Sequence, residues 1–379
     1  MRILFTGGGT GGHINPALAI AGYFREHHPD GVFAYVGMPN GMEANLVPRA
    51  GFDFIPMKAG GFQRQFNLRT IRSNARTLAL LTTATHRAKK ILNDFKPDAV
   101  VGTGGYVTGP LMRTAAKMGI PTITHDSNAY PGVTTKLLSK YVDCVLLAFE
   151  DAKKYLDPRC RTVVTGNPVR QEFLYANREQ AREKLGVGDK VCLLTFGGSN
   201  GAKRVNEAIA DLIAWHYKEG KIHHIHATGK FGKDYLPELL RERGVDLSNS
   251  PQVDIREYIY DMPECMAAAD LIIGRSGANT ISELEAAGRA SILIPSPNVA
   301  ENHQYHNAMV LANDGAAVVI EEKDLTGDRL VQEVSRLIEH PDTLREYGRN
   351  ASRHAVLDAT ERIYRAIMDD VYGSGAQKK

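Results

Sequence analysis

Short unbroken apolar runs punctuate the chain, separated by stretches in which apolar residues return at three- and four-residue spacing. Ile3-Leu-Phe5, Val32-Phe-Ala-Tyr-Val36, Ala99-Val-Val101, Thr122-Ile-Thr124, Cys144-Val-Leu-Leu147 and Thr162-Val-Val164 are too short for helices. Runs without a polar alternation suit strands covered on both faces. Between the first two, Pro16 to Phe24 has helical periodicity. Strands alternating with helices predict a parallel sheet in an α/β domain. The pattern restarts at Val191-Cys-Leu-Leu-Thr-Phe196, which predicts a second, Rossmann-like domain. Turn chemistry at Gly166-Asn-Pro-Val169 separates the two series, so domains are expected at 1–165 and 166–350 with a substrate cleft between them. The remainder, 351–379, holds a last helical pattern from Ala355 to Val371, able to pack on either domain, including back on the N-terminal one. Gly373 to Lys379 reads as a frayed tail.

Both series open with a strand that runs into glycines: Gly7-Gly-Gly-Thr-Gly-Gly-His13 in the first and Gly197-Gly-Ser-Asn-Gly201 in the second. Backbone N–H groups at a strand-to-helix turn can face an anion, so a phosphorylated ligand is expected, with the N–H groups of Gly7 to Gly12 free to meet it. Gly7, Gly9 and Gly12 also satisfy G-x-G-x-x-G, the fingerprint of dinucleotide-dependent oxidoreductases. That reading needs an acidic residue at the end of the second strand, where this chain has Gly37-Met-Pro-Asn40. His13 at the mouth of the loop suits acid–base chemistry on a bound substrate, the alternative being a helix-capping or core histidine.

Composition narrows the class. With 379 residues and ordinary apolar content the chain can bury two sizeable cores. A formal charge of +3 gives no global reason for a nucleic-acid partner. Four cysteines, Cys144, Cys160, Cys192 and Cys265, lack paired spacing, and no signal peptide is evident, so reduced thiols in a cytosolic protein are expected. No apolar run approaches the roughly 20 residues that span a bilayer, which leaves peripheral contact as the form any membrane association would take.

Taken in order, Gly-Gly-Gly-Thr-Gly-Gly-His13, Gly104-Gly-Tyr-Val-Thr-Gly-Pro110, Gly166-Asn-Pro-Val-Arg170, Gly197-Gly-Ser199 and Arg275-Ser-Gly-Ala-Asn-Thr-Ile-Ser-Glu283 resemble the MurG family of peptidoglycan N-acetylglucosaminyltransferases. The resemblance covers nearly the whole chain. It implies the GT-B fold, α/β with two Rossmann-like domains whose parallel sheets face each other across a cleft. It also implies inverting transfer of N-acetylglucosamine from its UDP conjugate to the muramyl 4-hydroxyl of lipid I, an undecaprenyl-pyrophosphoryl MurNAc-pentapeptide, giving lipid II.

The resemblance further implies donor binding by the C-terminal domain. There Ser276, Gly277 and Ala278 open a helix whose dipole and N–H groups can carry the departing diphosphate's charge, with Asn279 and Thr280 in the same turn. Arg170 and Ser199 would add donors, Glu283 would accept the ribose hydroxyls, and Gln304 would meet the donor sugar. Tyr258-Ile259 would lie beside uracil, with backbone atoms reading its edge, the alternative being a plain core role for the pair. The implied acceptor set comprises Thr10, Gly11, Gly12 and His13 in one loop, Gly104, Gly105 and Tyr106 in another, and His125 and Asn128. His13 is the candidate general base, with an electrostatic or positioning role as its competitor. Asp126 and Ser127 depart from the family's His-Glu-Gln-Asn segment, and Asn200 replaces its glutamine.

Phe62 to Phe95 carries Arg64, Arg69, Arg72, Arg76, Arg87, Lys89 and Lys90 against Asp94 alone, interleaved with apolar residues. That suits an anionic membrane surface, or else a helix with a core stripe and solvated charges. With a lipid acceptor implied, the first reading places the protein peripherally on the cytoplasmic face, at the inner leaflet. His223, His224 and His226 would be split between two strand faces, so no metal is assigned there. No cofactor is required, and divalent-ion stimulation stays open. The competing functions are a related transferase with another lipid acceptor, a UDP-sugar 2-epimerase and a non-catalytic UDP-sugar sensor.

Overall fold

A computed structural model describes residues 1–59 and 83–373. It divides into two compact units, Met1–Pro168 with Asp358–Lys379, and Val169–Leu357.

The first unit is built on seven strands: β1 (Arg2–Thr6), β2 (Val32–Gly37), β3 (Asp53–Pro56), β4 (Ala99–Gly102), β5 (Thr122–Asp126), β6 (Cys144–Leu147) and β7 (Arg161–Val164). They lie in the order β3-β2-β1-β4-β5-β6-β7, and every pairing is parallel. Chain order reverses between β1 and β4, where Leu4 sits between Ala34 and Val100. At such a reversal the loops leaving neighbouring strands diverge to opposite sides, opening a crevice at the carboxyl ends. The loops after Thr6 and Gly102 flank that point. The helix predicted from Pro16 begins earlier, at Gly11, and runs to His27. Proline favours a helix start because its missing N–H costs nothing there, but it is tolerated here one turn further in.

The helix Ala359–Gly373 belongs to this unit. Ile363 and Ile367 are buried in one cluster with Phe5, Phe24 and Ile123. The Tyr364 ring lies 4.8 Å from that of Phe24, and its hydroxyl is hydrogen-bonded to His28 Nε2 at 2.9 Å. Within the helical residues 83–95, Ala84, Ala88 and Leu92 are buried at four-residue spacing while Arg87, Lys89 and Lys90 are exposed. This part follows the core-stripe reading. Arg64, Arg69, Arg72 and Arg76 lie outside the described residues. No helix among the described residues is long and apolar enough to cross a membrane.

The second unit repeats the plan with β8 (Val191–Phe196), β9 (Ile222–Ala227), β10 (Val253–Arg256), β11 (Leu271–Gly274), β12 (Ala290–Leu293) and β13 (Ala317–Val319), ordered β10-β9-β8-β11-β12-β13. All pairings are parallel. The reversal falls between β8 and β11, whose carboxyl ends carry the loops at Gly197 and Arg275. Leu193, Ile213, Ile273, Ile292 and Val334 are among its core residues.

All three histidines of β9 are buried. His224 bridges His216 Nε2 at 2.9 Å and Thr195 Oγ1 at 2.9 Å, and the same hydroxyl meets His226 Nδ1 at 2.7 Å. Burial pulls His216 and His226 down to about 4 from an ordinary 6.5, and holds His224 well below its ordinary value. Below about 6.5 the unfolded chain therefore takes up protons that the folded network refuses. Stability falls with falling pH through this window, by up to about 1.4 kcal/mol per pH unit for each histidine. Urea unfolding near pH 7 and near pH 5 checks this, and a His226→Gln variant is expected to show a shallower fall.

Candidate functional site

In the first unit the loops after β1 and β4 interlock through their backbones. Gly8 N–H donates to Gly104 O at 3.2 Å, and a Cβ on Gly105 would come within 2.4 Å of Gly8 O. Gly104 and Gly105 adopt φ of 105° and 91°, which favours glycine. Two N–H groups expected to face a ligand are thus engaged internally: Gly8 with Gly104, and Gly9 with Glu43 Oε2 at 3.4 Å. Physically, a sharp turn that buries its inner edge must satisfy its own amides. The outward donors are those of Gly11 and Gly12, in the first helical turn, where no intrahelical acceptor exists.

His13 is held by this arrangement. Its Nδ1 lies 3.0 Å from Gly8 O and 3.3 Å from Thr10 Oγ1, while Thr103 Oγ1 donates to its main-chain carbonyl at 2.6 Å. A carbonyl only accepts, so Nδ1 carries a proton, and in the neutral ring the lone pair is then on Nε2. The ring packs on Gly104, where a Cβ would stand 3.1 Å from Nε2. Tyr106, two residues beyond Gly104, is 65% exposed.

His125 and Asn128 are placed differently from Thr10, His13 and Tyr106. The His125 ring is fully enclosed, with Nε2 bonded to Gly166 O at 3.0 Å, and burial lowers its pKa. It braces the chain just before the second unit and offers no surface to a ligand. Asp126 Oδ1 accepts from Asn128 N–H at 3.0 Å and Oδ2 from Gly132 N–H at 3.0 Å, so the departing carboxylate organises its own loop.

The second unit gathers a cavity of about 490 Å3 beside β8, lined by Gly197 to Arg204 together with Arg275, Ser296, Asn298, Gln304 and Glu322. Gly201 has φ of 79°, and a Cβ there would meet Thr228 O at 2.2 Å, so the loop turns hard against β9's end. Ser199 is exposed. Gln304 Oε1 accepts from Ser296 N–H at 2.9 Å and its main-chain carbonyl accepts from Ser276 Oγ at 2.8 Å. Arg275, which sequence reasoning quoted without a role, pairs with Glu322 and donates to Ile294 O at 3.1 Å and Pro295 O at 3.2 Å, closing one wall.

Gly277 caps the helix Ala278–Ala287 without a side-chain bond, leaving the N–H groups of Ala278, Asn279 and Thr280 in its first turn. Glu283 lies on the same helix, half-buried. Burial pushes its carboxyl up to about 7 against the downward pull of the Arg170 guanidinium. Ile259 is buried between the exposed Tyr258 and Tyr260, whose rings are 4.8 Å apart. Of the expected donor residues, Ser199 and Gln304 line the cavity, whereas Arg170, Ile259, Ser276 to Thr280 and Glu283 do not.

Glu43 escaped the sequence reading. It follows β2 by six residues, and only the flanking Gly37 and Gly41 hint that its side chain is folded inward.

Two parallel units with a glycine loop at each reversal of strand order define a two-domain, doubly wound α/β protein. The chain belongs to glycosyltransferase family 28, matching its N-terminal domain over residues 3–147 and its C-terminal domain over residues 192–363. A relative from Acetivibrio thermocellus, named UDP-N-acetylglucosamine–N-acetylmuramyl-(pentapeptide) pyrophosphoryl-undecaprenol N-acetylglucosamine transferase, is 44% identical over 97% of this chain and 98% of its own. One of the same name from Desulfitobacterium hafniense is 43% identical over 98% of this chain and all of its own. The crystal structure of Acinetobacter baumannii MurG superposes with a TM-score of 0.78 at 28% identity, covering 97% of this chain and 99% of that one.

Proposed function

We propose that the chain transfers N-acetylglucosamine from UDP-N-acetylglucosamine to the muramyl 4-hydroxyl of lipid I, inverting the anomeric carbon and producing lipid II for peptidoglycan. Near end-to-end similarity to transferases of that name carries the assignment. In the reaction, His13 Nε2 takes the proton of the 4-hydroxyl as its oxygen bonds to the anomeric carbon. The bond from that carbon to the diphosphate breaks, and UDP leaves with the electron pair. First-turn N–H groups at Ala278 to Thr280, with Ser199 and Arg170, receive the developing charge. Glu283 holds the ribose hydroxyls, the Gln304 amide donates to the sugar, and Ile259 packs beside uracil. Thr10 to Gly12, Gly104, Gly105 and Tyr106 hold the acceptor's pyrophosphate and sugar, with His125 and Asn128 supporting from behind. The experiment is transfer of labelled N-acetylglucosamine to a soluble lipid I analogue. Folded, UDP-binding protein that forms no product would turn the assignment toward another acceptor or a sensor.

A polyprenyl substrate stays in its bilayer, so the protein works at the cytoplasmic face, on an anionic surface. The cation-rich sequence around Arg69 supports this reading. Replacing Arg69, Arg72 and Arg76 with Ser is expected to weaken binding to anionic vesicles about a hundredfold, at about 1 kcal/mol per cation near the surface, as read by cosedimentation, while activity on the soluble acceptor persists. Unchanged cosedimentation would remove the segment from membrane contact.

A further inference from the structure

Glu43 is fully buried beneath the glycine loop. A Cβ on Gly8 would come within 2.4 Å of its Oε1, one on Gly37 within 2.4 Å of its Cγ, and one on Gly41 within 2.4 Å of its Cδ. Three glycines therefore make room for one carboxylate. Burying a carboxylate is costly unless donors surround it. Here Met38 N–H donates to Oε1 at 2.9 Å and Gly9 N–H to Oε2 at 3.4 Å, and Glu43 stands at the first position of the helix Glu43–Arg49. The Tyr35 hydroxyl nearby donates to Gly7 O at 3.0 Å, fixing the preceding residue.

The N–H of Gly9 and the carbonyl of Gly8 belong to one peptide group. A carboxylate accepting from that N–H draws electron density toward the carbonyl oxygen and strengthens whatever bond the oxygen accepts. That bond comes from His13 Nδ1 at 3.0 Å. We propose that Glu43 is the positioning residue of His13, acting through the Gly8–Gly9 peptide to hold the imidazole with Nδ1 protonated and Nε2 free. An inserted amide here does what a directly bonded carboxylate does for the histidine of a serine-protease triad. The proposal rests on the reading of His13 as general base.

Histidine 15N chemical shifts in the full-length protein report the ring tautomer directly. Wild type is expected to hold neutral His13 as the Nδ1–H form, and a wild-type ring in the Nε2–H form would overturn the proposal without any mutant. Glu43→Gln keeps the volume but presents an uncharged amide to Gly9. It is expected to mix the tautomers and to lower kcat about tenfold with KM for UDP-N-acetylglucosamine unchanged. Glu43→Asp, charged but shorter, is expected to recover part of both, and it carries the comparison if the glutamine variant does not fold. A folded Glu43→Gln protein with an unaltered tautomer would sink the idea. Mixed tautomers with unaltered kcat would instead retain the coupling and remove His13 from the role of base.

Discussion

Substituting alanine for His13 is expected to lower kcat about a thousandfold, within the range that a positioned general base contributes. UDP binding should be unchanged, because every residue assigned to the nucleotide lies in the other compact unit. The size of the effect follows from the 4-hydroxyl, which is a poor nucleophile until its proton leaves. Single-turnover transfer to the soluble acceptor, beside UDP binding measured calorimetrically, separates the two quantities. A variant that lost UDP affinity and turnover in equal measure would contradict the division of roles. Glutamine at position 13 tests the chemistry further, since it can hydrogen-bond to Gly8 O yet cannot take up a proton at neutral pH.

Replacing Glu283 by alanine is expected to weaken UDP-N-acetylglucosamine binding about a hundredfold, as hydrogen bonds to a charged group contribute roughly 1.5–3 kcal/mol each. Its raised carboxyl adds a pH dependence. With a value of about 7 in the folded protein, the free site holds a proton below that point. Ribose hydroxyls donate to the ionised form, so affinity should rise as pH climbs through about 7 and flatten above it. A pH-independent wild-type affinity would oppose this placement of the ribose. The same shift acts on folding with the opposite sign. The unfolded chain ionises near 4.5 while the folded site resists until about 7, so Glu283 costs stability above pH 4.5 and the full cost is present above 7. Glu283→Gln is accordingly expected to stabilise the ligand-free protein by about 2 kcal/mol near pH 8 while impairing donor binding.

The legibility of the site differed between its halves. The loops holding Ser199 and Gly277 could be placed because strand-to-glycine-to-helix transitions are local, and the reversal between β8 and β11 sets two such transitions side by side. Gly8 and Gly9 were read as ligand-facing donors, and the structure engages them instead with Gly104 and Glu43, which lie far away in sequence. His125 was marked by its motif, but only packing shows that its ring is sealed against Gly166. The histidines of β9 were separated from metal chemistry by strand alternation, yet their chain through His216 and Thr195 needed the adjacent strand and helix to be in place.

By itself the sequence determined the parallel α/β character, the duplication into two units and the glycine-rich strand-to-helix loops, because periodicity and glycine placement act over neighbouring residues. The tertiary structure alone decided which amides remain available, which ring nitrogen of His13 is free, how far burial raises Glu283, and that Glu43 lies under the loop. Most of these depend on groups distant along the chain, brought together when parallel strands set their carboxyl ends side by side, and the His13 ring depends on how the loop folds back on Gly8.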